Sequence, residues 1–178
     1  MKWLIASDIH GSSFYCKKLL ERFDAENAER LILLGDILYH GPRNDLPRGY
    51  DPKEVMKMLS EYSEKILCVR GNCEAEVDQM VLNFPVMADY AVFCFKNKII
   101  YATHGHKFGK ENPPPLKKGD IMLFGHTHIP ECSESGGNVF LNPGSVSIPK
   151  GGSETGYMTF EDGKFFWKNI KGEVFLKY

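Results

Sequence analysis

Short apolar runs alternate with helical periodicities through the first part of the chain. Residues 3–6, 31–34 and 66–69 are continuous apolar runs of strand length, the pattern of strands buried on both faces. Between the first two, Phe14, Leu19, Leu20 and Phe23 recur near helical spacing. Before the third, Asp51-Pro52-Lys53-Glu54 reads as a helix start. Asp51 can cap, Pro52 suits the first turn and Glu54 can reach back to the cap. Val55, Met56, Leu59 and Tyr62 give that helix an apolar face. Strand, helix, strand, helix, strand implies right-handed crossovers and a largely parallel sheet.

The texture changes after about residue 85. Residues 86–103 read as two strands joined near Lys96-Asn97-Lys98, and residues 121–124 as another. Residues 131–142 carry a Gly136-Gly137 turn. Residues 156–177 carry Asp162-Gly163 and Lys171-Gly172 turns between aromatic-rich segments. These hairpin signals predict a second, mostly antiparallel sheet. Two mixed β-sheets packed face to face and flanked by helices would make a four-layer α/β sandwich. Residues 105–119, with Pro113-Pro114-Pro115, form the longest loop and a candidate rim for a site.

Composition narrows the function classes without choosing one. The 178 residues suit a single domain with a full core. A net charge of −1 gives no electrostatic reason to expect nucleic acid or anionic membrane as a stable partner. No apolar run approaches the roughly 20 residues of a membrane span, and the run before Asp8 is too short for a secretory signal. Five cysteines without a Cys-x-x-Cys pair fit free thiols in a reducing cytoplasm.

The informative feature stands at the end of each apolar run. Residues 3–6 lead into Asp8-Ile9-His10-Gly11, and residues 31–34 into Gly35-Asp36. Residues 66–69 lead into Gly71-Asn72, residues 99–102 into His104-Gly105-His106, and residues 121–124 into Gly125-His126-Thr127-His128. Five times, a residue able to bind metal stands just past a strand's carboxyl end, where open α/β sheets hold their ligands. Oxygen and imidazole together suit Mn, Fe, Co or Zn better than Ca or Mg. The set is too large for one open catalytic ion and about right for two, and Asp36 is the best placed to bridge them. Two ions about 3.5–4 Å apart can hold a hydroxide and clamp an in-line displacement at phosphorus. Each piece alone is common; the ordered combination is specific.

That order, with Gly35–Asn44, Arg70-Gly71-Asn72-Cys73 and residues 142–152, resembles the calcineurin-like metallophosphoesterase superfamily, and most closely its small bacterial YfcE-type phosphodiesterases. The likeness covers essentially the whole chain and weakens after about residue 155. It implies a first metal held by Asp8, His10, Asp36 and His128, and a second held by Asp36, Asn72, His104 and His126. It also implies hydrolysis of small phosphodiesters, Mn as the usual activating ion with Zn, Fe, Co or Ni as alternatives, and a homo-oligomer.

One departure bears on mechanism. Many relatives carry a proton-shuttling His after the Gly-Asn pair; here the position is Cys73. It can be a small filler of the site wall, a weak acid or substrate contact, or a redox-sensitive thiol. Arg43 and Asn44 can touch a phosphate or sit in a surface loop. His40 can supply a replacement acid, and His106 is expected behind the ligands or exposed. Residues 142–145 are expected to form a tight turn under the site. The competing function is a scaffold of this fold with weak catalysis, against which stands the complete ligand set. A monoesterase would need substrate-recognition insertions that the chain lacks.

Overall fold

A computed structural model describes residues 1–178. β1 (Lys2–Ala6), α1 (Ser13–Ala25), β2 (Arg30–Leu33), α2 (Pro52–Ser60) and β3 (Ile66–Cys68) follow the predicted alternation. The three strands pair in parallel, Leu4 beside Leu31 and Leu31 beside Ile66. After α3 (Glu76–Val81) come β4 (Tyr90–Phe95), β5 (Lys98–Thr103), β6 (Ile121–Leu123), β7 (Pro130–Ser135) and β8 (Asn138–Pro143). β9 (Gly156–Glu161), β10 (Lys164–Asn169) and β11 (Val174–Lys177) close the chain.

The strands form a six-stranded sheet, β11-β10-β9-β1-β2-β3, and a five-stranded sheet, β4-β5-β6-β8-β7. The predicted division of strands between the sheets therefore needs correcting. The C-terminal hairpins join the first sheet, where β9 runs antiparallel to β1 with Phe160 beside Trp3. The second sheet is not mostly antiparallel either, because β5, β6 and β8 run parallel at its centre. Parallel neighbours need a crossover of a dozen or more residues, which the loop over residues 105–119 supplies without a helix.

Alternation along each strand divides the core. Trp3, Ile5, Ile32 and Leu34 face the second sheet and meet Ile100, Leu123, Val139 and Leu141 between the layers. Leu4, Ala6, Leu31 and Leu33 face the opposite way, onto Leu19, Phe23, Val55 and Leu59 of the two helices. Met122, Phe124 and Phe140 on the outer face of the second sheet are covered by Phe108 and Leu116 from the Pro-rich loop. Asp51 caps α2 as predicted, accepting from the Glu54 N–H at 3.1 Å. The reciprocal half of that capping box does not form, because the Asp51 N–H donates to the Gly11 carbonyl instead. No helix is long and apolar enough to cross a membrane.

Glu26, just past α1, ties the ends of the chain together. It accepts from Lys168 at 2.6 Å, Lys2 at 2.7 Å and the Tyr157 hydroxyl at 3.0 Å. Burial pushes its carboxyl up, but these donors outweigh that and hold it at about 2, below its ordinary 4.5. The stabilisation is thus present above about pH 4.5 and is lost as pH falls toward 2. Glu26→Gln should lower unfolding free energy by about 1 kcal/mol at pH 7 once solvent screening is allowed for. Urea titrations at pH 7 and pH 3 should show that gap shrinking in acid; a gap constant with pH would rule the charge out as its origin.

Candidate metal centre

The residues after β1, β2, β3, β5 and β6 all converge where the carboxyl ends of the two sheets meet. Five of the seven expected ligands lie in the left-handed region: Asp8 (φ 60°), His10 (49°), Asp36 (56°), His126 (67°) and His128 (62°). Non-glycine residues adopt it at a cost of roughly 1 kcal/mol or more each, and only where the surroundings enforce it. Here they do. The Asp8 and His10 N–H groups donate to the Gly35 and Asp36 carbonyls at 3.1 and 2.9 Å. The Ser145 and Ser147 hydroxyls both donate to the Asp8 carbonyl, at 2.9 and 3.0 Å. Asn142 donates to the Gly125 carbonyl at 2.8 Å, so the turn at 142–145 packs under the site as expected. Gly71 must be glycine, since a Cβ there would collide with the Asp36 backbone N and carboxylate.

Three imidazoles are oriented alike. Nδ1 of His10, His104 and His128 lies 2.8, 2.6 and 2.6 Å from the carbonyls of Tyr39, Leu34 and Ile148. A carbonyl only accepts, so each Nδ1 carries a proton, and in the neutral ring the Nε2 lone pair points inward. His10 Nε2 lies 3.5 Å from Asp8 Oδ1 and 3.6 Å from Asp36 Oδ2. His128 Nε2 lies 3.2 Å from Asp8 Oδ1. His104 Nε2 lies 3.5 Å from Asp36 Oδ2 and 3.2 Å from Asn72 Oδ1. Asp36 Oδ2 thus sits between His10 and His104. The His126 N–H donates to Asp8 Oδ2 at 3.1 Å, and its ring lies 5.1 Å from that of His104.

Ring nitrogens facing carboxylate oxygens call for positive charge among them, from protons on the rings or from a bound cation. Asp8 Oδ1 is buried without any hydrogen-bond donor. Ligand atoms of Asp8, His10 and His128 lie within 4.8 Å of one another, as do those of Asp8, Asp36 and His104, and of His10, Asp36 and Cys73. Titration expresses the same demand. Burial disfavours charge on His10 and His104, yet the two carboxylates raise both, His104 to about 9. Burial raises Asp8 and Asp36, yet the imidazoles hold both below their ordinary range. Protons drawn onto the rings stand in for metal charge, and the donor set fits divalent ions.

The remaining expected residues separate. Arg43 and Asn44 line a polar cavity of about 420 Å³ with Asp36, Asn72, His126 and His128. Thr127 and Lys150 join them there, although neither stands out in the sequence as a site residue. Cys73, half-buried, sits beside Asp36 and Asn72. Its N–H donates to Asp36 Oδ1 at 2.9 Å and its thiol accepts from Asn72 at 3.3 Å. Burial and then Asp36 push the thiol well up in the metal-free protein. His40 lies against Tyr50 rather than in the cavity. Burial and then His104 hold the His106 ring down at about 4, and it lines a neighbouring cleft.

Glu74 is a positioning residue that the sequence pattern does not reveal. Its buried carboxylate accepts from the N–H groups of Asp36 (3.0 Å), Ile37 (2.7 Å) and Gly71. It staples the turn after β2 to the turn after β3, and so sets Asp36 against Asn72. Its only trace in the sequence is its place directly after Cys73.

Comparison with known proteins identifies the family. The calcineurin-like phosphoesterase superfamily domain matches residues 1–163. Phosphodiesterase YfcE of Escherichia coli strain K12 is 48% identical over 157 residues, spanning 88% of this chain and 85% of that protein. The solved structure of the E. coli Yfce phosphoesterase superposes with a TM-score of 0.97 at 42% identity, covering 100% of this chain and 98% of that one. Zn-complexed Vps29 of Entamoeba histolytica shares the fold alone, with a TM-score of 0.60 at 18% identity over 100% and 98% of the chains.

Proposed function

This chain belongs to the calcineurin-like phosphoesterase superfamily as a metal-dependent phosphodiesterase, and from that premise we propose that it hydrolyses small phosphodiesters at a dinuclear centre. Asp8, His10, Asp36 and His128 would hold one ion, and Asp36, Asn72, His104 and His126 the other, with Mn as the working metal. The observation that carries this reading is the place of Asp36 Oδ2, 3.6 Å from His10 Nε2 and 3.5 Å from His104 Nε2. A single carboxylate oxygen between two imidazole sets is what a shared ligand requires. Bound divalent ions supply water deprotonated near neutral pH and neutralise charge on the phosphoryl oxygens.

The chain's own residues do the rest. Arg43 and Lys150 bring cationic side chains to the cavity that would receive the phosphate, and Asn44 adds an amide that its bond to the His40 carbonyl orients. Cys73 stands where many relatives carry an imidazole that protonates the leaving oxygen, and a thiol is a weaker acid than an imidazolium near neutral pH. The departing alkoxide or phenoxide therefore leaves with little help.

The test is an assay of the metal-stripped protein with bis-aryl, mono-aryl and bis-alkyl phosphates, each with Mn, Co, Ni, Zn or Mg restored. Bis-aryl turnover with Mn is expected, and far slower turnover of alkyl esters. No turnover with any ion, in a protein that remains folded, would favour the scaffold reading instead. Cys73→His should accelerate alkyl esters by about 100-fold or more while changing aryl esters little; equal effects on both would refute the missing-acid account.

A further inference from the structure

A second cavity, of about 640 Å³, opens beside α1 and shares no lining residue with the catalytic one. Lys18 and Arg22 from α1, Arg48 from the loop before α2 and Lys171 from the turn after β10 surround it, with Glu21 as its only carboxylate. Five cations elsewhere, Lys2, Lys57, Lys107, Lys110 and Lys168, each lie within 4.0 Å of a carboxylate. None of these four does, although the chain as a whole carries a net charge of −1.

Their placement is ordered. The Arg48 guanidinium lies 3.7 Å from the centre of the Phe14 ring, and the Lys18 ammonium stands 5.2 Å from the same ring. A guanidinium stacked on an aromatic face keeps its edge of N–H donors free. Arg22 is anchored by an Nη1 donation to the Lys171 carbonyl at 2.9 Å, which leaves its Nε buried with no acceptor. Four like charges around one concavity, with a single carboxylate among them, form a receptor for an oxyanion.

We propose that this cavity is a second anion site, which binds the phosphate group of a small phosphorylated molecule or free phosphate. Several donors in fork geometry suit a doubly charged tetrahedral oxyanion better than a carboxylate. The site is separate from catalysis and needs no metal.

The experiment is equilibrium titration of the metal-loaded full chain with inorganic phosphate and with AMP, beside a Lys18→Ala/Arg48→Ala variant and an Arg43→Ala variant. The Lys18→Ala/Arg48→Ala protein should bind one equivalent fewer of either ligand, or bind it at least tenfold more weakly, with bis-aryl phosphate turnover unchanged. Retained turnover also reports that the variant is folded. Equal affinity for both ligands identifies the bare anion, and tighter AMP identifies a nucleotide. Unchanged stoichiometry and affinity in the double variant, or loss of all binding in Arg43→Ala, would overturn the proposal.

Discussion

Asp36→Asn should lower kcat/KM for a bis-aryl phosphate by about 1000-fold or more, the equivalent of about 4 kcal/mol of lost charge stabilisation. The substitution is close to isosteric. The amide oxygen can keep the 2.9 Å acceptance from the Cys73 N–H, so the turn should survive. The other carboxylate oxygen, now between His10 and His104, becomes an NH2 group with no lone pair to share. One negative charge also leaves a buried site in which Asp8 already opposes the ionisation of Asp36. His104 nonetheless holds the Asp36 carboxyl below its ordinary range, so its charge stabilises the metal-free fold near pH 7 and metal-free Asp36→Asn should be less stable than the metal-free parent. The metal-loaded variant should hold fewer ions by elemental analysis. A variant that keeps two tightly bound ions and near-parental turnover would remove Asp36 from the centre of the mechanism.

Glu74→Ala should cost about 3–5 kcal/mol of stability, a large share of the roughly 5–15 kcal/mol typical of a domain. The Asp36, Ile37 and Gly71 N–H groups would lose their only acceptor while buried, and each unsatisfied donor costs roughly 1–3 kcal/mol. Glu74→Gln keeps one acceptor oxygen and should cost less, while its NH2 faces a backbone donor. Because the staple sets Asp36 against Asn72, metal affinity should fall roughly 10–100-fold even in the glutamine variant. Urea unfolding and metal titration on the same samples would separate the two effects. Lost stability with unchanged metal affinity would make Glu74 structural only.

The sequence exposes the candidate ligands well because each stands just after a buried strand, where apolar pattern and polar chemistry meet. It exposes the α2 cap and the turn under the site for the same local reason. Long-range pairing is less visible. Alternation in β9 and β10 shows which residues are buried, but not that Phe160 and Trp167 complete the face begun by Trp3 and Ile5. The parallel centre of the second sheet is hidden because its crossover is a Pro-rich loop with no helical period. Glu74 works only through backbone N–H groups, so no spacing of polar side chains announces it. Lys150 reaches the cavity from a loop more than 100 positions beyond Asp36, and only the fold brings the two together.

The centre draws Asp8, His10, Asp36 and Asn72 from one sheet and His104, His126 and His128 from the other. Ions seated there would act as a rivet through the sandwich, because they would bind only while both halves are in register. Scarcity of the metal would then do more than idle the enzyme: it would loosen the seam and leave the polypeptide open to degradation, so that its abundance follows the supply of its own cofactor.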